Sequence, residues 1–524
     1  MVCNRERTPK VVTDLVDLSR AAAREFIQSA VVIDDEAGQL TDDDVAPGAA
    51  SALTTPSVGA TTSESAQNEP TRRPRHPLRS KALVETFASL GVVCGVLQPT
   101  EPEGDPVDSV FAQAVSRADV VILDWQLNQD RGERALGYIR QILDADNERL
   151  RLVAIYTGES ALEDIARLIA EELGADYSED DPFVVVYGAM RLAVFAKEVA
   201  RDQGAEAARV LVEEELPGQL VNEFAWANQG VVPAATMRAL AAMRRNAHRM
   251  LLALGAELDV GFLAHRMLLP DPEDAEEHLL GLIVSELESI IFDDLATREI
   301  AGTAGAVAWL THNVEGGDDR KPTREELERC LTEGFSKAKA TAPGLQDFEK
   351  KTITSALGDA EAGLTSGRDF AMRMTLRTAY ERPPKRLTFG CLLRDSSDDY
   401  YLCVQPACDA LRLEDETRFP LLPCEVVTAD RYDLVVCDRD VERRLKVVRQ
   451  PRRLRMVAFL PDPTQRSVIA GSGEIFSSVN EGDFVLVGRL KPDMTQQEAH
   501  GMGHAFSRPG IDVPEFLRIR KPRD

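Results

Sequence analysis

Three aspartates, a threonine and a lysine stand where apolar runs stop. Residues 30–33 give way to Asp34, Asp35 and Glu36, and 120–123 give way to Asp124. Residues 152–156 end at Thr157 and Gly158, and 191–196 end at Lys197. Carboxylates gathered at one place repel one another unless a hard cation such as Mg²⁺ joins them. An aspartate presented in that way is a candidate phosphoryl acceptor. A hydroxyl such as that of Thr157 can hydrogen-bond a phosphoryl oxygen, and Gly158 leaves room for the group. Lys197 is a cation able to pair with the phosphoryl group or with Asp124.

Short apolar runs of this kind read as buried parallel strands. In an open α/β sheet, ligands bind outside the carboxyl ends of the strands, so all five side chains belong at one edge. Taken singly, Asp34-Asp35 reads as a solvated loop and Thr157 as a helix N-cap with Glu159 in the following turn. Taken together, an acidic pair, then Asp, Thr and Lys, each at a strand end, resemble the receiver domain of two-component response regulators. The resemblance covers about the first 200 residues and implies an α/β flavodoxin-like fold. It implies that Asp124 is the phosphoacceptor, Thr157 the switch hydroxyl and Lys197 the phosphoryl-binding lysine. By the same resemblance Asp35, Asp124 and the backbone carbonyl of Gln126 hold Mg²⁺ directly, and Asp34 holds it through water.

The chain departs from that family in three places. Residues 38–79, rich in Ala, Ser, Thr, Pro and Gly, read as a disordered surface insert. Such an insert leaves a site intact, because lengthening a surface loop costs little. The long stretch between Thr157 and Lys197 is explained by a hairpin, with strands at 183–187 and 191–197 around a Gly188-Ala189 turn. Lys197 is followed by Glu198 where the family usually has proline.

A chain of 524 residues suggests two to four domains, and 44% hydrophobic with 28% charged residues is an ordinary globular composition. A net charge of −26 opposes non-specific nucleic-acid binding and disfavours a DNA-binding output domain. The basic clusters at 72–75 and 443–455 read as solvated faces. No segment is apolar for long enough to span a membrane, and the amino terminus lacks a signal-peptide core. Eight scattered cysteines fit a reducing cytosol, so a cytoplasmic location is expected. Cys403, Cys408, Cys424 and Cys437 lack zinc spacing and read as buried free thiols.

The expected organisation is a receiver domain at 1–200, an all-α domain at 201–384 and a small β-rich barrel or sandwich at 385–524. Residues 205–215 read as helix, followed by a long amphipathic helix from Pro233 and a second from Asp271-Pro272, with Asp271 as N-cap. Further helix is expected at 296–312, 323–339 and 344–380. His248, His265 and His278 read as packing or surface histidines, with no metal-ligand spacing to support another role. Strands are expected at 387–393, 400–405, 434–436, 455–460 and 483–488, and a helix at 495–507. Cys408-Asp409 reads as turn chemistry rather than a catalytic pair.

This layout resembles receiver proteins of bacterial anti-phage two-component systems, closest to the DtcB-like phosphate-buffering receivers of the Detocs type. The resemblance implies a cognate histidine kinase as partner, a second receiver-effector protein in the same system, and a role in absorbing stray phosphate rather than an enzymatic one. Two other readings stand beside it. One is an effector whose C-terminal part carries a phosphorylation-controlled activity; the other is a non-phosphorylated pseudo-receiver serving as scaffold.

Overall fold

The computed structural model describes residues 14–37, 78–99, 107–127, 130–145, 150–177, 181–314, 322–346, 348–358, 360–380, 385–428 and 431–506. Apart from residues 78 and 79, the expected insert lies outside the described residues, as does the basic cluster at 72–75. The chain divides into two compact units, Met1–Glu315 with Leu327–Gly334, and Gly316–Glu326 with Phe335–Asp524.

The first unit begins with α1 (Leu15–Phe26), started by the Asp14 carboxylate, which accepts a hydrogen bond from Val16 N. Then follow β1 (Ser29–Ile33), α2 (Ser80–Ser89), β2 (Val93–Leu97), α3 (Val107–Arg117), β3 (Val120–Leu123) and α4 (Glu133–Ala145). They lead into β4 (Arg151–Thr157), α5 (Leu162–Leu173), β5 (Asp176–Tyr177), β6 (Val184–Tyr187), β7 (Met190–Lys197) and β8 (Val210–Leu211). One sheet results, in the order β2-β1-β3-β4-β7-β6-β5, with β8 beside β7. The path from β2 to β7 is parallel throughout.

Every residue of β3, β4 and β7 is buried, as parallel strands covered on both faces require. The period of two sorts their side chains into two cores. Val32, Ile122, Ala154 and Phe195 face the side that holds α1 and α2, while Ile33, Leu123, Ile155 and Val194 face the side that holds α4 and α5. The expected hairpin is present: β6 runs antiparallel to β7, and Gly188 takes φ +57° at the first turn position. Residues 205–215, expected to be helical, hold instead one 3-10 turn at Ala207–Arg209 followed by β8. Pairing of Val210 and Leu211 with Ala196 and Lys197 outweighs local helix preference there.

Helices α6 (Leu216–Ala227), α7 (Val231–Ala253), α8 (Asp259–Leu268), α9 (Asp274–Asp293), α10 (Leu295–Ala301) and α11 (Thr303–Asn313) complete this unit's run after the sheet. Both α6 and α7 pack on α1. The helix α9 starts at Asp274 rather than Pro272, because the Asp271 carboxylate accepts from Glu273 N at 3.2 Å and closes a turn first. Next come α12 (Arg324–Glu333), α13 (Phe335–Thr341) and α14 (Ala360–Thr375).

The second unit is built on antiparallel strands β9 (Cys391–Asp395), β10 (Tyr400–Cys403), β11 (Thr417–Val426), β12 (Leu434–Asp438), β13 (Val441–Val447), β14 (Arg455–Phe459), β15 (Ile475–Ser477) and β16 (Asp483–Arg489). The order is β12-β13-β11-β10-β9-β16-β15, and β14 also pairs with β11. A bridge between Phe459 and Ser478 brings β14 against the end of β15, so six of the strands close into a small barrel. Phe419, Phe459, Phe476 and Phe484 fill it, with edge-to-face contacts. A last helix, α15 (Pro492–Phe506), follows β16. Cys403 and Cys424 are buried as expected; Cys408 and Cys437 are exposed, which corrects the reading of all four as buried thiols. Among the described residues no helix is long and apolar enough to cross a membrane.

Candidate phosphoacceptor site

Four adjacent parallel strands deliver the site. Asp34 follows the end of β1 and Asp124 the end of β3, and the Asp124 backbone N–H donates to the Ile33 carbonyl at 2.9 Å, so the two carboxylates leave the sheet side by side. Thr157 ends β4 and Lys197 ends β7, with Thr157 level with Ala196. The crossover between β1 and β3, where the chain winds in opposite directions, is the place where doubly wound sheets bind ligands.

Asp34, Asp124, Thr157 and Lys197 are buried, and Asp35 is half-buried. Lys197 Nζ donates to Asp34 Oδ2 at 2.7 Å and to Asp124 Oδ2 at 2.6 Å. Asp34, Asp35 and Asp124 each offer an oxygen, and these oxygens lie within 4.8 Å of one another. The remaining acceptor positions are partly taken by backbone: Asp34 Oδ1 accepts from Glu36 N at 2.8 Å, and Asp124 Oδ1 from Gln126 N at 3.1 Å. The Thr157 hydroxyl accepts from Glu159 N at 3.3 Å, a local turn bond rather than the expected N-cap, since α5 begins at Leu162 after Ala161, and it sits beside the lysine strand.

Burial pushes the Asp34 carboxyl up to about 6; Lys197 pulls it down and the Asp124 charge pushes it further up. For Lys197, burial acts to lower the ammonium, but the attraction of Asp124 and Asp34 outweighs it and holds the group above its ordinary value. Three carboxylates against one ammonium leave a deficit of two positive charges when all are ionised. A divalent cation closes that deficit, and an all-oxygen donor set is what Mg²⁺ takes. The chemistry of the donors thus fits Mg²⁺, with Asp34, Asp35 and Asp124 as the side chains to hold it.

Several supports were not legible as site residues. Gln98, just after β2, donates from its side chain to the Asp35 carbonyl at 2.6 Å and fixes the acidic loop. Trp125 is buried directly after Asp124, and a Cβ at Gly132 would lie 2.2 Å from its ring. Gly132, at φ +92°, is therefore the residue that lets the Asp124 loop close over the tryptophan. Asp130 starts α4 beside it, accepting from Gly132 N and Arg134 N. The spacing of Gly132 from Asp124 carries no pattern that sequence inspection could have used.

The other sequence candidates lie elsewhere. Cys408 sits on an exposed turn, its thiol 3.4 Å from the carboxylate of its own neighbour Asp409. His265 Nε2 and His278 Nδ1 are 2.8 Å apart between α8 and α9, both exposed. Among the described residues, Asp34, Asp35 and Asp124 are the group of three or more metal-ligating side chains.

No curated protein and no solved structure matches the chain. Residues 26–202 match the family model of the response receiver domain, and that segment spans all four strand ends from Asp34 to Lys197: the chain carries a response receiver domain.

Proposed function

We propose that Asp124 accepts a phosphoryl group from a phosphohistidine of a cognate histidine kinase, and that the chain serves as a phosphate sink in cytoplasmic anti-phage signalling. The observation that carries the acceptor role is the bridging of Asp34 and Asp124 by Lys197, at 2.7 and 2.6 Å, beside a third carboxylate. In the step proposed, a carboxylate oxygen of Asp124 attacks phosphorus, the P–N bond breaks, and imidazole leaves with the bonding electron pair. The product is an acyl phosphate, which water later hydrolyses to free phosphate and the restored carboxylate. When bound, Mg²⁺ supplies charge neutralisation at the transferring oxygens. Lys197 shifts its ammonium toward those oxygens as charge leaves the Asp124 carboxylate, and Thr157 donates its hydroxyl to one of them. Asp34 and Asp35 keep the site's charge matched to the cation, and the Gln126 carbonyl is the proposed further ligand.

The sink role rests on the layout, a receiver followed by helical and β-rich parts. The lysine contact counts against a pseudo-receiver, in which no phosphoryl-binding cation need approach the acceptor. The test is incubation of the full chain with Mg²⁺ and acetyl phosphate or the kinase, read on a phosphate-affinity gel. A retarded band that is absent in Asp124→Asn is expected, with decay fast enough for a sink. Equal retardation in wild type and Asp124→Asn would overturn the assignment.

A further inference from the structure

The helix α9 is apolar at Leu280, Ile283, Leu287 and Ile290, the alternating spacing of three and four residues that meshes with another helix. Val284 and Ile291 widen the stripe. A helix with so broad an apolar face is normally enclosed. Here Ala275 is the one buried residue of the 20 in α9, and α8 has none. The buried residues of α7, Ala234, Met237, Ala241 and Ala242, all lie in its first half. Beyond Ala242 no residue of α7 is buried, so the second half of α7, all of α8 and nearly all of α9 are open. Leu251, Leu252, Val260, Met267, Leu268 and Val284 are between 61% and 83% exposed. These six alone present on the order of 800 Å², more than the roughly 300–600 Å² of the largest patch on a typical monomer and close to one side of a standard interface.

Charge says what covers it. The helix α9 carries Asp274, Glu276, Glu277, Glu286, Glu288 and Asp293 and no lysine or arginine. The helix α8 carries Arg266 with Asp259, and the second half of α7 carries Arg249, Arg244 and Arg245 and no acidic residue. The latter two are engaged within the chain, with Phe26 O at 2.7 Å and with Glu25 and Asp294 at 2.9 Å. A surface with one acidic helix and a basic pair is complementary to itself under a two-fold rotation, which sets α9 of each copy against α7 and α8 of the other. An anionic membrane is the poorer match, since the acidic residues of α9 and the net charge of −26 oppose its headgroups.

We infer that α7, α8 and α9 form an isologous interface with a second copy of this chain, closing a helical bundle across the two-fold axis. The interface is independent of the phosphoacceptor reading. The experiment is sedimentation equilibrium of the full chain and of Leu280→Glu/Val284→Glu, with far-ultraviolet circular dichroism as the folding control. Wild type is expected at twice the chain mass, and the double variant at the monomer mass with unchanged helicity. If the double variant loses helicity, Met267→Ser/Leu268→Ser reads the same interface without touching α9 and is expected to be monomeric as well. A monomeric wild type at micromolar concentration, with the patch met by another part of the chain or by a different protein, overturns the inference. So does a dimer that survives the folded variants.

Discussion

At the scale of single residues, the candidate site is held together by groups that would be costly without one another. Lys197 is buried between two carboxylates, and a buried cation stripped of its partners is strongly destabilising. Asp34 carries the opposite burden. Its ordinary value of 3.8 is raised to about 6 by burial, so its carboxyl favours the fold most below the unfolded value, and that contribution is lost as pH rises through about 6. That value is already net of the Lys197 attraction, so the fold as a whole favours the neutral form of this side chain, which Asn supplies. Asp34→Asn is therefore expected to stabilise the metal-free protein by roughly 1–3 kcal/mol at neutral pH, and by little near pH 4, where wild-type Asp34 is itself protonated. Urea unfolding at the two pH values checks it, and a variant no more stable at neutral pH would contradict it. Asp34, Asp35, Asp124, Thr157 and Lys197 were legible in sequence because a buried strand is an uninterrupted apolar run and a polar stop at its end stands out. Gln98 and Gly132 were not legible, since each acts through a contact between segments that only the folded sheet brings together.

At the scale of elements, helix junctions carry as much information as helix interiors. Asp294 joins α9 to α10: its Oδ2 accepts from Thr297 N at 2.9 Å and from the Thr297 hydroxyl at 2.8 Å, while Arg238 and Arg245 reach it from α7. Burial acts to raise this carboxyl, but the Thr297 hydrogen bonds and Arg238 outweigh it and hold it below 3.8. A lowered value contributes stability above the unfolded one and loses it as pH falls through the folded one. Asp294→Ala is expected to cost about 1–2 kcal/mol at neutral pH, from the lost cap alone, with the difference from wild type narrowing below about pH 4. Chemical denaturation of both proteins across that range is the measurement; a pH-independent difference would mean that the cap charge is not the cause. The helices α7 and α9 were legible from their period of 3.6, and Pro233 does fall in the first turn of α7. Their exposed apolar side chains were not, because periodicity marks an apolar side without saying what lies against it. The strand β2 went unread although residues 92–97 are apolar apart from Gly95; its exposed Val93 marks it as an edge strand, which the apolar residues alone do not reveal.

At the scale of the whole molecule, two units that each carry cores of their own should respond separately to a ligand bound in one of them. The acidic group lies in the unit of Met1–Glu315 with Leu327–Gly334, on a parallel sheet, whereas the aromatic barrel fills the unit of Gly316–Glu326 with Phe335–Asp524. A ligand that binds one folded unit raises that unit's stability by mass action, about 2.7 kcal/mol at a hundredfold excess over its dissociation constant. Such a chain does not unfold in a single all-or-none step. Calorimetry of the full chain is expected to show two transitions, with Mg²⁺ raising the midpoint of one and leaving the other where it stands. Asp124→Asn should abolish the shift, because it removes one of the three carboxylates that neutralise the cation, while the unresponsive transition stays unchanged in the variant. A single transition that Mg²⁺ moves as a whole would mean that the two units unfold as one. A Mg²⁺ shift retained in Asp124→Asn would place the cation away from the Asp34–Asp124 group, and the phosphoacceptor reading would lose its metal.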